Sequence, residues 1–554
     1  MKTCCVIQDG LPMKNNGFKS LKYLLLMYLL ITVVLPIGRL FSTIRGEDAA
    51  AVFSSVQFWP MLKNSLATTL TATVVSLVLS FGLAWMLNRS RIRFKSVFVV
   101  LFTLPMLIPS ISHGQGLVLL FGDNGIITNL LNWNIGLYGF KGIVMGSVLY
   151  SFPVSFLMFH DSFQYEDFVI YEAAGVLGLS KWKQFVTITL PSMRRTIVSA
   201  VLAVFTMVFT DYGVPLMTGG TVMTLPVYMY REVIGMMNFS GGAVVGVILL
   251  LPAVAAFLMD LKNSGASASS STVTKPYQIE ENRGRDVFVY VVFGLVLLAL
   301  CLPILAFVLL SFVKQYPIDM SFSLDTVRRL LSGGMGMYFV NSMAVALLTA
   351  LIGTCLSYFA AFATSRSSKT VSNQVLHFIS MLSLAIPGIV LGLSFVLTFR
   401  RVPFYTTIFI LVLVNIVHFF SSPYLLAYNS LSKFNPNLED VADSLGISRL
   451  RLLWNVYVPC TRATIVEMYS YYFVNAMITI SAVSFLVNFR TMPLSLLIPQ
   501  LESQSFLEGT ALVSLMILLL NLTEKGIAFF VKRAVQKEDL LNGTILEQIT
   551  ETDM

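Results

Sequence analysis

Charge is scarce in this chain. Only 12% of its 554 residues are Asp, Glu, Lys or Arg, and 56% are hydrophobic, whereas soluble domains carry about a quarter charged residues. That shortage excludes an ordinary soluble protein. Cysteine is rarer still: Cys4, Cys5, Cys301, Cys355 and Cys460 include an adjacent pair and two inside apolar runs, with neither metal-ligand spacing nor a disulfide framework. Paired metal ligands are missing, and so is a nucleophile beside a base, so no metal site and no catalytic residues are expected. The phosphate loop G-x-x-x-x-G-K-[ST] occurs nowhere, which excludes a nucleotide cradle of that type and leaves the chain with no expected cofactor.

What the chain does have is long apolar runs, with a mean hydropathy of +0.78. About 20 residues of helix cross the ~30 Å hydrocarbon core of a bilayer. Such runs fall at 21–41, 64–88, 98–121, 140–160, 195–216 and 240–261, and again at 287–313, 341–364, 374–399, 406–429, 463–487 and 508–531. These twelve candidate spans predict an all-α polytopic membrane protein embedded in lipid. Lys14, Lys19 and Lys22 lead into the first run and no small-residue cleavage site follows, so an uncleaved first helix is expected. The Gly/Ser/Ala tract at 262–276 has linker composition. The expected organisation is a first unit at 1–261, a linker at 262–286 and a second unit at 287–554.

The net charge of +9 does not point to nucleic acid, because the basic residues sit in short loops between spans. Arg89, Arg91, Arg93 and Lys95 crowd one such loop, and 121–140 has no Lys or Arg. The positive-inside rule then puts both termini, the linker and the basic loops in the cytoplasm. Arg400 and Arg401 run against that bias.

An internal repeat organises the spans. Asn64-Ser65 opens one run and Asn341-Ser342 opens its counterpart, with Ser80 falling on Ser357. Pro109 and Gly114 match Pro387 and Gly392, and Pro153 matches Pro423. Each half holds an even number of spans, so the halves are parallel repeats of six helices with a pathway between them.

Two amphipathic segments interrupt the oil: YEAAGVLGLSKWKQFVTITLPS at 171–192 and EDVADSLGISRLRLLWNVYVPC at 439–460. Placing Gly178 on Gly446 puts Glu172 on Asp440, Ala174 on Ala442, Ser180 on Ser448, Ile188 on Val456 and Pro191 on Pro459. Both therefore read helix, Gly-x-Ser, helix, Pro. Glycine suits the left-handed residue that closes a helix, serine caps the next, and proline ends or bends it. One such segment is as readily a brace lying on the membrane interface. Two at equivalent positions predict a pair of docking elements, with the small Ala173 and Ala174 allowing close approach.

The pattern E-A-A, three residues, G, nine residues, I-x-L-P resembles the signature loop of ATP-binding-cassette importer permeases. Glu172, Ala173, Ala174, Gly178, Ile188, Leu190 and Pro191 match it throughout; the second copy keeps Ala442, Gly446 and Pro459 but has Asp440, Val441, Val456 and Val458 where the pattern differs. The resemblance implies a type I ABC importer (MetI-like) permease fold, two permease units fused in one chain, and coupling loops at 163–194 and 431–462. It implies docking of two copies of a separate cytoplasmic ATPase, which would use ATP and Mg, and of an extracytoplasmic solute-binding protein, all at a bacterial inner membrane. The better first match predicts unequal contributions from the two loops. Among fused permeases the chain looks similar to those for 2-aminoethylphosphonate and ferric iron, with thiamine, polyamine or another small solute as alternatives.

For the pathway, ionisable groups inside spans are costly and suggest function. Asp211 and Tyr212 lie late in the fifth run, and the repeat sets Thr479 opposite Asp211, with Asn475 and Ser481 nearby. These are expected either to line the passage or, for Asp211, to cap a break before Gly213 at the outer interface. His113, His418, Glu467 and Asn475 itself are weaker candidates, since a lone polar group in a bundle more often bonds between helices. A twelve-helix secondary transporter and a membrane enzyme are the competing classes. The first lacks buried coupling charges and a Gly-x-x-x-Asp loop motif here; the second lacks a catalytic constellation.

Overall fold

Apolar sequence dictates helix wherever the chain meets lipid, because every backbone N–H and C=O must find its partner within the segment. The computed structural model obeys this rule and describes residues 16–264, 275, 277–367 and 370–552. Cys4, Cys5 and most of the Gly/Ser/Ala tract lie outside those residues. Among the described residues, seven helices are long and apolar enough to cross a membrane, and up to eleven if each sharply bent pair is one span. A short antiparallel hairpin, Val313–Gln315 with Asp319–Phe322, is the one β element among the described residues.

Several expected spans are not continuous. The run at 98–121 breaks at Pro109, bending by 96°, and its counterpart at 374–399 breaks at Pro387, bending by 113°. Proline fixes φ, disfavours helix at the residue before it, and has no N–H to give the ladder. The run at 406–429 bends by 52° between His418 and Ser421. The fifth run ends its helix at Phe209 and the eleventh at Ile478, so residues 210–216 and 479–487 do not continue these helices. At 17 residues, Arg462–Ile478 falls short of an unaided crossing.

The repeated Asn-Ser pair has a structural purpose. In the first half Asn64 donates to the carbonyl of Met223 (3.3 Å), and Ser65 accepts from the N–H of Leu225 (2.8 Å). In the second, Asn341 donates to Met492 (3.2 Å) and Ser342 accepts from Leu494 (2.7 Å). Each pair thus caps the short helix that follows the broken span, Leu225–Tyr230 or Leu494–Ser503. Removing the hydroxyl strands a buried N–H, so Ser342→Ala is expected to cost about 1–3 kcal/mol. Thermal unfolding in detergent should show it, with Ser65→Ala matching in size.

Packing between helices rests on close fit and hydrogen bonds, since lipid tails are as apolar as leucine. Ser76 bonds Ser151 at 2.8 Å, and Ser80 bonds Ser155 at 2.6 Å, joining Phe58–Arg89 to Phe140–Gln164. The halves also exchange their first helices. The helix Gly17–Thr43 buries Leu25, Leu29, Val33 and Leu40 in a core shared with Ile389 and Val390 of the second half. Lys22 reaches across to Ser372 (2.9 Å) and Asn373 (3.1 Å). Conversely, Arg283–Ser311 packs Val289, Phe293 and Leu300 against Leu83, Phe102 and Phe152 of the first half.

Candidate functional site

The two amphipathic segments fold alike from alike sequence. In the first, Asp167 caps Phe168–Val176 by accepting from Val169 N–H (3.1 Å). Gly178 turns left-handed at φ +73°, and Leu179 N–H closes the turn onto Ala174 carbonyl at 3.0 Å. Ser180 then caps a second helix through Lys183 N–H. In the second segment Leu438–Ser444 ends at Gly446, φ +67°, Ile447 N–H meets Ala442 carbonyl at 2.8 Å, and Ser448 caps through Arg451 N–H. Both second helices widen into a π-turn just before their proline, Phe185–Thr189 ahead of Pro191 and Leu453–Tyr457 ahead of Pro459. A wider turn is how a helix absorbs the missing N–H and the ring clash.

Ala174 and Ala442 are buried against the bundle, so of the small residues expected on a free face only Ala173 is there. What faces outward is apolar: Val176 and Leu177 are 89% and 79% exposed, and Leu445 is 68% exposed. Glu172 and Asp440 are exposed, Ile188, Leu190, Val456 and Pro459 half-buried, and Pro191 exposed. A side chain added at Gly178 or Gly446 would meet nothing within 4 Å. The tips are unoccupied surface carrying large apolar groups.

Beneath each segment lies a buried arginine that sequence reasoning missed. Arg366 grips Glu439 with two hydrogen bonds (2.7 and 2.6 Å), bonds Tyr457 (3.0 Å) and caps the carbonyls of Phe434 (3.0 Å) and Asn435 (2.6 Å). Arg89, at its equivalent place, pairs with Glu166, and Tyr171 donates to that carboxylate at 3.1 Å while bonding Thr189 at 2.9 Å. With Gly178 on Gly446, Tyr171 falls on Glu439 and Thr189 on Tyr457. The same anchor is built from different positions, so aligning the repeats residue by residue hides it. Burial pushes the Glu166 carboxyl up despite Arg89. Burial also raises Glu439, but the bonds from Arg366 and Tyr457 outweigh it and hold its pKa below the ordinary 4.5.

Between the halves is a cavity of about 380 Å³. Asp211, Asp260, Tyr150, His418, Tyr471 and Ser481 are among its walls, and no Lys or Arg is among the described residues lining it. Asp211 is buried, and it caps the break by accepting from Gly213 N–H (3.3 Å) and Val214 N–H (2.9 Å). Lining and capping are thus combined in one residue. Ser481 lines the cavity, while Tyr212 is buried beside it with its hydroxyl on Ser484 (2.6 Å). Thr479 is buried, and Asn475 donates to its own helix at Tyr471 carbonyl (2.8 Å); neither lines the cavity. Asp260, far along the sixth run, could not be placed there without the fold. Close packing at the breaks alternates: Ser110 abuts Gly213 in one half, and Ser481 abuts Gly388 in the other.

Two repeated halves with broken spans meeting at a cavity, each with a matched amphipathic segment, define a polytopic permease. The chain belongs to the binding-protein-dependent transport system inner membrane component family, whose profile matches it twice, at residues 76–262 and 353–537. It is therefore an ABC importer permease with both units in one polypeptide. It is 26% identical over 471 residues to the ferric transport system permease protein FbpB of Actinobacillus pleuropneumoniae, covering 81% of this chain and 68% of that one. The putative ferric transport system permease protein FbpB 1 of Haemophilus influenzae is 26% identical over 453 residues, covering 78% and 71%. The thiamine transport system permease protein ThiP of Escherichia coli is 22% identical over 362 residues, covering 63% and 66%.

Proposed function

We propose that this permease carries ferric iron across the inner membrane, driven by two ATPase copies docked at the segments around Gly178 and Gly446. The observation that carries the choice of cargo is the charge of the cavity. The carboxylate of Asp211, with no lysine or arginine among the cavity's described walls, favours a cation and disfavours an anion such as a phosphonate. The ferric permeases among its relatives agree with that sign. No group of three or more potential metal ligands clusters among the described residues. A weak, transient site suits transit, because a cargo bound tightly would not leave.

In this reading the face with both segments is cytoplasmic, as its arginines and lysines favour. A loaded binding protein docks opposite, ATP closes the ATPase pair, and the segments transmit that closure so the halves rock about the cavity. The chain does no chemistry on its cargo. Uptake of radiolabelled ferric iron by cells carrying the complete transporter tests the assignment. Asp211→Asn keeps the shape and an acceptor for the backbone cap but removes the charge, and is expected to slow uptake about tenfold, roughly 1.4 kcal/mol. Uptake of 2-aminoethylphosphonate in place of iron overturns the cargo.

A further inference from the structure

The linker does more than join the halves. Its described end folds back onto the base of the first amphipathic segment. Phe168 N–H donates to the Lys275 carbonyl (2.9 Å), and Lys275 N–H donates to Asp167 (3.3 Å). The Lys275 ammonium pairs with Glu172 at 2.5 Å, and Glu280 pairs with Lys181 at 2.8 Å. Tyr277 sets its ring edge-on to Phe168 (4.9 Å) and Tyr171 (5.2 Å), while the Arg89 guanidinium lies 3.2 Å over that ring.

The need for this contact comes from an asymmetry between the anchors. Arg366 is satisfied wholly within its own half, by Glu439, Tyr457 and two carbonyls. Arg89 holds one carboxylate, and its Nη1 is buried without a hydrogen-bond partner. The face of a desolvated guanidinium is stabilised by an aromatic ring, by about 2 kcal/mol or more. Tyr277 supplies the nearer such ring, 3.2 Å from the guanidinium, against 4.8 Å for the Tyr171 ring of the segment itself. The described residues of the linker contact the base of the segment, while Val176 and Leu177 at its tip are exposed. The linker therefore acts at the base of the segment, as a brace rather than a lid.

We infer that Lys275 and Tyr277 of the linker are positioning residues for the first docking site, holding the Phe168–Val176 helix at the angle at which an ATPase copy engages it. The second site needs no such brace. This rests on the docking reading given above. The surface ion pairs add little on their own; the ring stacked on the buried arginine is the main contribution.

The test uses the full chain purified in detergent with its co-expressed ATPase. Gly446→Arg leaves only the first docking site, and Gly178→Arg leaves only the second. Adding Lys275→Ala with Tyr277→Ala is expected to lower retained ATPase about tenfold in the Gly446→Arg chain and less than twofold in the Gly178→Arg chain. Tyr277→Phe keeps the ring and should restore most of the loss. An equal fall in both chains marks general destabilisation and overturns the brace, as does no fall in either. Retention of ATPase by the chain with both arginines instead removes the docking reading, and the brace with it, through a separate variant.

Discussion

With Gly178→Arg and Gly446→Arg combined, the permease is expected to purify without its ATPase and to lose uptake entirely. Both glycines hold left-handed backbone, and an added side chain at either would enter open space. The conformational penalty for a non-glycine residue there is about 1–2 kcal/mol, too little to unfold a bundle of this size. The arginine side chain would instead project beside the apolar tips at Val176, Leu177 and Leu445, where the proposed partner must sit closely. Co-purification read by band intensity, with the purified chain's melting point as control, decides it. Undiminished ATPase with normal uptake sinks the docking role of both segments. Single variants measure whether the copy closer to the family pattern contributes more.

The largest stability effect is expected from Arg366→Ala. The substitution strips Glu439 of its cation and leaves two carbonyls without their donor. Breaking a buried pair from one side costs about 3–5 kcal/mol, because the surviving charge stays buried. Thermal unfolding should fall accordingly, and the second amphipathic segment, the proposed docking site, should loosen with it. Arg366→Lys retains the charge but not the bidentate grip, and should recover only part. Acid gives an independent reading. The folded pKa of Glu439 is depressed below 4.5, so its contribution is present above the unfolded value and is lost as pH falls through the folded one. The wild-type chain should lose this increment of stability below about pH 4.5, whereas in Arg366→Ala the increment is already gone. The same acid-dependent loss in both chains would contradict the pairing.

Much of the fold was legible because it follows from neighbours in sequence. Glycine at 178 and 446, serine two residues on and proline at 191 and 459 specify the turn, cap and bend through groups a few positions apart. The Asn-Ser pair marked the repeat correctly, although its purpose, capping helices some 150 residues away, needed the fold. Asp211 was identified as costly inside a span; that one carboxylate both caps a break and borders the cavity was not foreseeable. The repeat points to Thr479 and the polar segment around it to Asn475, and both lie off the cavity, because the halves are equivalent in backbone and not in every side chain.

What the residues decided unaided is local: where apolar runs force helix, where proline and glycine interrupt it, and that the pattern occurs twice. What only tertiary packing decided is which distant groups complete one another. The anchor arginines find their acid at Glu166 in one half and at Glu439 in the other, the first helix of each half packs on its opposite, and Tyr277 closes over Arg89. The physical reason is that backbone turns depend on the identity of a residue at a fixed offset. A buried charge or a tight contact requires only that its partner be present in space, and the chain is free to supply that partner from anywhere.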